Sequence, residues 1–262
     1  MSNKEAMHTV VVANRKGGTG KTTTAANLAA VYHASGLRVL AIDLDSQQNL
    51  TWQLGASMDS LLTTYELLEP GVDAPLEQVL CATAVGVDLL PAGEELSKLE
   101  IALALAVAGQ QRLAQVLAPF SDRWDVAVVD TPPGLGVVTI ASLVAADVVV
   151  SPVSAEDVGA AQGLARLLQS IDLTGPLRNG RPIPQVVPVL TRWDERRKVA
   201  NSLDATLEAM GQTPVARIPS LAAIHQSTLN RMPFAVLSPD SVAAAQYRAV
   251  ADVAITPGAR HV

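Results

Sequence analysis

The stretch Asn14-Arg15-Lys16-Gly17-Gly18-Thr19-Gly20-Lys21-Thr22-Thr23-Thr24 decides the fold. It lies between a short β-branched run at residues 8–13 and a helical pattern at 22–35. Its three glycines let the backbone curl with successive N–H groups pointing inward, and the helix that follows adds about half a positive charge at its start. A loop of this kind is a cradle for phosphates. Gly17, Gly18, Thr19, Gly20, Lys21, Thr22 and Thr23 would line it, Lys21 would reach the β- and γ-phosphates, and the Thr22 hydroxyl would hold Mg²⁺. The ordinary pattern G-x-x-x-x-G-K-[ST] fails at its first position, where Arg15 stands, and a second lysine, Lys16, sits inside the loop. The bland alternative is a glycine-rich turn without a ligand.

Working outward, further short apolar runs occur at 38–43, 87–90, 124–130, 147–152, 185–191 and 215–218. Most are apolar on both faces, as parallel strands covered by helices must be. Helical patterns fill the intervals at 94–106, 110–120, 156–171, 195–210 and 241–255, and Gly36 closes the first helix from the C′ position. The alternation predicts an α/β fold: an open, mostly parallel twisted sheet with helices on both faces, of the P-loop NTPase class. Residues 175–184, with three prolines and two glycines, read as a surface loop, so residues 1–262 are expected to form a single domain.

Two acidic segments flank the loop. Asp43-Leu44-Asp45 follows the second run, and carboxylates at the C-terminal end of a parallel strand beside a phosphate loop face the ligand crevice. Strand alternation would put Asp43 and Asp45 on one side; loop capping is the alternative role. The run at 124–130 ends in Asp130, followed by Thr131-Pro132-Pro133, and fits a Walker B element whose carboxylate serves the Mg²⁺ shell, with helix capping as the plainer use.

Composition narrows the classes. Hydrophobic residues make up 49% and charged ones 17%, which excludes a disordered chain, and aromatics at 3% argue against a base-stacking platform. One cysteine, Cys81, excludes a disulfide framework or a Cys-rich metal site within one chain, and it reads as a helix-packing residue in a reducing compartment. His8, His33, His225 and His261 lack the spacing of a metal site and read as structural or surface residues. The longest apolar run, 101–109, is half a membrane span, which predicts a cytoplasmic protein with no membrane partner. Residues 1–159 carry eight Lys/Arg against eighteen Asp/Glu, whereas 160–262 carry eleven against seven, so any polyanion surface belongs in the C-terminal part.

With its extra loop lysine, the chain resembles the deviant Walker A ATPases, which include the ParA/Soj partition ATPases, MinD-type ATPases, nitrogenase iron protein and arsenite-pump ATPases. One cysteine excludes the nitrogenase branch, the tail 255–262 lacks the basic amphipathic helix of MinD, and the last tyrosine, Tyr247, is isolated, unlike the tyrosine-kinase branch. Asn49-Leu50-Thr51, Tyr65-Glu66-Leu67-Leu68, 151–156 and 190–194 resemble ParA/Soj landmarks in order, in the short form without an N-terminal helix-turn-helix domain. The resemblance implies a Mg²⁺-dependent ATPase for chromosome or plasmid segregation. It implies an ATP-dependent homodimer in which Lys16 reaches the partner's phosphates and Asp45 orients the attacking water. Thr191, Arg192 and Pro219 would lie near the adenine. Partners would be non-specific double-stranded DNA and a ParB-like centromere-binding protein that stimulates hydrolysis, and the protein would be nucleoid-associated. Arg192, Arg196, Arg197, Lys198, Arg217 and Arg231 are the candidate DNA contacts, with Arg178 and Arg181 nearby in sequence; a solvated helix start is the plainer use of 196–198. A MinD-like or other cargo-positioning ATPase, or a nucleotide-gated scaffold with little turnover, are the alternatives.

Overall fold

The computed structural model describes residues 6–56 and 62–255. Strands β1 (His8–Val12), β2 (Val39–Asp43), β3 (Cys81–Ala82), β4 (Asp88–Leu90), β5 (Val126–Asp130), β6 (Val148–Ser154), β7 (Gln185–Trp193) and β8 (Ala216–Pro219) form one sheet, in the order β3-β4-β2-β5-β1-β6-β7-β8. All pairings are parallel except that of β3 with β4. The doubly apolar strands serve two cores. Val10 and Val12 face one core with the helices Lys21–Ala34 and Val242–Ile255, while Val11 and Ala13 face the other with Leu96–Leu105, Val137–Ala145 and Ala160–Leu173. Parallel strands all end on one edge, so the loops after β1, β2, β5, β6, β7 and β8 gather there.

At the opposite edge the described chain closes on itself. His8 Nε2 lies 2.8 Å from the Ala254 carbonyl oxygen, and the Tyr32 hydroxyl donates to the Ala251 carbonyl at 3.2 Å. The expected C′ glycine is in place: Gly36 adopts φ +85° and its N–H bonds the His33 carbonyl at 2.9 Å, which ends the first helix.

Several elements differ from expectation. The helix expected from 156 begins only at Ala160, because Asp157 turns the chain: its Oδ1 accepts the Gly159 N–H at 3.0 Å and its own N–H bonds the Ser154 carbonyl at 3.1 Å. The helix expected from 195 begins at Lys198, because Asp194 accepts the Arg196 N–H at 3.1 Å and holds a turn. Segment 110–120 splits into a helix, Arg112–Leu117, between two short 3₁₀ turns, the second carrying Pro119. Cys81 sits on β3, partly exposed and in antiparallel pairing with β4, and packs against the core to which the helix Lys21–Ala34 belongs. Short helices at Asn49–Gln53, Thr64–Leu68, Leu76–Val79, Ala222–Leu229 and Phe234–Leu237 were not foreseen. One carried a readable signal, since Thr63 and Glu66 form a capping box in which Glu66 accepts the Thr63 N–H at 2.8 Å. The expected tail features at 256–262, His261 included, lie outside the described residues.

Candidate active site

The glycine loop occupies the turn from β1 into the helix Lys21–Ala34. Gly18 and Gly20 adopt φ of +72° and +92°, which side-chain-bearing residues rarely tolerate, and Gly20 lies alongside Thr191. Asn14 fastens the loop's base: its Oδ1 accepts the Lys16 N–H at 3.0 Å and its Nδ2 donates to the Pro152 carbonyl at 2.8 Å. The segment after β5 is tied to the same loop through Gly134 N–H to the Arg15 carbonyl at 2.9 Å, and the Thr131 hydroxyl donates to the Val12 carbonyl at 2.9 Å.

Three carboxylates and one ammonium group converge behind the loop. Lys21 is 7% exposed and donates to the Lys16 carbonyl at 3.2 Å. Burial lowers its pKa, while Asp130 and Asp45 oppose that shift. Asp43 and Asp130 stand side by side in the β2–β5 register and are fully buried. Asp43 is pushed up to about 6, chiefly by burial, although it accepts the Thr51 N–H and hydroxyl at 2.8 Å each and the Asp45 N–H at 3.1 Å. Neither oxygen of Asp130 has a hydrogen-bond partner of ordinary geometry. Burial and the Asp43 carboxylate hold Asp130 well above the usual carboxylate range; the Thr22 hydroxyl and Lys21 pull the other way and do not offset them.

Asp45 is not on the strand face that alternation suggested, because β2 ends at Asp43. It lies in the turn that follows, where its Oδ1 accepts the Gln47 N–H at 3.0 Å, so it caps a loop as well as facing Lys21.

Beside the phosphate loop, a cavity of about 360 Å³ is lined by Thr19, Gly20, Thr23, Thr191, Arg192 and Pro219 among others. That is within the size range of small-ligand pockets. Thr191 is fixed at its wall, donating to the Thr19 carbonyl at 2.8 Å. Glu156, from the 151–156 landmark, and His225, expected as a structural or surface residue, also line it, and neither is marked by its sequence pattern as a ligand contact. His225 arrives on the unforeseen helix Ala222–Leu229, and no spacing signal pointed to it.

The candidate DNA contacts separate into two groups. Arg192, at φ +53°, and Arg197 both face Glu156, at 3.5 and 2.8 Å. Arg196, with its side chain 90% exposed, is 3.5 Å from Asp194, and Lys198 is exposed with no ion-pair partner among the described residues. Arg217 is committed elsewhere, with Nε and Nη2 donating to Asp204 at 2.7 and 2.8 Å. Arg231 stacks over Trp52 at 4.4 Å and donates to the Ala56 carbonyl at 2.8 Å. Arg178 and Arg181 do not belong to this surface. They follow the helix Ala160–Leu173 and lie at the far edge of the sheet, where Arg181 pairs with Asp147, the residue before β6, at 2.6 Å. Arg178 is 2% exposed.

Among the described residues no helix is long and apolar enough to cross a membrane. The AAA domain family matches residues 7–179. Sporulation initiation inhibitor protein Soj of Bacillus subtilis strain 168 is 36% identical over 165 residues, which span 63% of this chain and just under two thirds, 64%, of Soj. The chromosome partitioning protein ParA of Caulobacter vibrioides is 35% identical over 209 residues, covering 78% of this chain and 76% of ParA. The solved structure of cobyrinic acid a,c-diamide synthase from Mycobacterium smegmatis with bound ATP analogue and magnesium is 29% identical, has a TM-score of 0.79, and matches 94% of this chain and 93% of that one.

Proposed function

The chain belongs to the AAA-domain P-loop family that includes the ParA and Soj proteins, and on that premise we propose that it hydrolyses ATP to drive DNA segregation. Asp130 is the observation that carries the reading. A fully buried carboxyl group that makes no hydrogen bond of ordinary geometry, and that burial holds toward its protonated form, is a ready acceptor for a cation, and the donor set beside it, the Thr22 hydroxyl plus phosphate oxygens, suits Mg²⁺. Thr22 and Asp130 would hold the ion, which when bound neutralises phosphate charge.

The remaining roles fall to the chain's own groups. The loop N–H groups and Lys21 would bind the phosphates, and the cavity at Thr191, Arg192 and Pro219 would take the base. Asp45 would orient the attacking water, and Lys16 would reach the phosphates held by a second copy. That Lys16 is on the rim, with its side chain 47% exposed, supports this last role. Arg196 and Lys198 support contact with non-specific duplex DNA, whose affinity would be weak per subunit and doubled in cations by dimerisation. A ParB-like partner would trigger hydrolysis, as the kinship with ParA suggests. The one sheet running through the described residues supports a single working domain.

The test is retention of non-specific duplex DNA at low salt with ATP and Mg²⁺, with ADP and Mg²⁺, and with no nucleotide, with phosphate release followed in parallel. Retention confined to the ATP arm, with phosphate released, is expected. Equal retention in all arms would reject nucleotide control, and retention without phosphate release would reject the hydrolase.

A further inference from the structure

Lys16 does not point its ammonium group into the phosphate cradle of its own loop. Its Nζ donates to both carboxylate oxygens of Asp157, at 2.7 and 2.6 Å, across 141 residues of sequence. The acceptor is set in place by backbone. Asp157 Oδ1 also accepts the Gly159 N–H at 3.0 Å, and the Asp157 carbonyl accepts the Ala160 N–H at 3.1 Å at the start of the helix Ala160–Leu173. Gly159 makes room for the pair, because a Cβ there would come within 3.0 Å of Lys16 Nζ. The Lys16 backbone is meanwhile fixed, its N–H by Asn14 and its carbonyl by Lys21, so the side chain alone is free to move.

We propose that Asp157 is a latch on the phosphate loop. In the free subunit it competes with phosphate for Lys16, and two subunits close over nucleotide only as each Lys16 exchanges Asp157 for the other subunit's phosphates. This rests on the reading that Lys16 acts across a nucleotide-bound dimer. The exchange keeps Lys16 paired throughout but strands Asp157, so opening the latch opposes dimerisation. The two side chains are 47% and 26% exposed, which places the bridge among partly screened pairs worth about two- to fivefold in an equilibrium constant. A symmetric dimer opens two latches, so the penalty enters twice, as about four- to twenty-five-fold.

Sedimentation equilibrium with a non-hydrolysable ATP analogue and Mg²⁺, without DNA, tests the latch. Asp157→Asn should tighten the dimer by about four- to twenty-five-fold while leaving ADP affinity unchanged, and Asp157→Glu, which keeps the carboxylate, should stay closer to wild type. Gly159→Ala offers an independent route: its φ of −92° accepts alanine, and the added methyl displaces the ammonium group, so it too should tighten the dimer. If wild type dimerises and Asp157→Asn is no tighter, or is weaker, the latch is overturned and the cross-subunit reading stands. If no variant and not the wild type dimerises with the analogue, that reading falls and the latch with it.

Discussion

Asp130 shows what one side chain can reveal without its ligand. Its native pKa lies well above the ordinary carboxylate value because burial and Asp43 disfavour its charge. Between the unfolded and native pKa the folded protein therefore keeps a proton that the unfolded chain has lost, and stability falls as pH rises through that window. In EDTA and without nucleotide, Asp130→Asn, uncharged at every pH, should be the more stable protein at pH 8. The gain should be about 1–3 kcal/mol, seen as a rise of roughly 3–10 °C in Tm, and should shrink toward zero near pH 4. A calorimetric gain that is undiminished at pH 4 would refute the buried-charge explanation. The position of this residue was legible in the sequence, as were those of Lys21, Thr22 and Asp43, because a loop motif and the ends of apolar strands fix them locally. Glu156, Asp157 and His225 were not legible, since each gains its neighbours from chain segments far away in sequence.

At the scale of elements, the surface loop expected at residues 175–184 sends an arginine inside, which its pattern of prolines and glycines does not show. Arg178 donates to the carbonyls of Leu143, Val144 and Ala146 at 2.7, 2.8 and 2.6 Å, and to that of Pro182 at 2.9 Å. Those first three carbonyls lie at the C-terminus of the helix Val137–Ala145, where unpaired acceptors and the helix dipole both favour a cation. Burial lowers the pKa of the guanidinium, yet it stays charged at any ordinary pH. Arg178→Ala should cost about 2–4 kcal/mol, read from the urea midpoint, and leave DNA retention by the folded protein unchanged. Loss of DNA retention at full stability would return this residue to the nucleic-acid surface. The major strands were legible to within two residues at each end because they are apolar on both faces. The starts of helices were less so, for Asp157 and Asp194 spend the first turn on side-chain hydrogen bonds to backbone.

For the molecule as a whole, net charge points to a basic C-terminal part, but only the fold shows which of its cations are held by acidic neighbours and which face solvent. Glu156 and Asp204 engage Arg192, Arg197 and Arg217, whereas Arg196, 3.5 Å from Asp194 but with its side chain 90% exposed, and the exposed Lys198 stand furthest into solvent to meet a polyanion. Arg196→Ala combined with Lys198→Ala should lower ATP-dependent DNA retention at low salt by at least about tenfold and flatten the salt slope by about two per subunit. Arg217→Ala should instead lower stability, having lost its pair with Asp204. Filter binding across a salt series distinguishes them, and equal losses from both would move the surface toward β8. The bond between His8 and the Ala254 carbonyl bears on how the protein can be engineered. It holds the beginning of β1 against the end of the helix Val242–Ile255, and the phosphate loop lies a full strand away, about 17 Å for the five residues of β1. A fluorophore or affinity handle placed at Ala6 or Ile255 would therefore sit on the side remote from the phosphate loop and report on the protein without touching it.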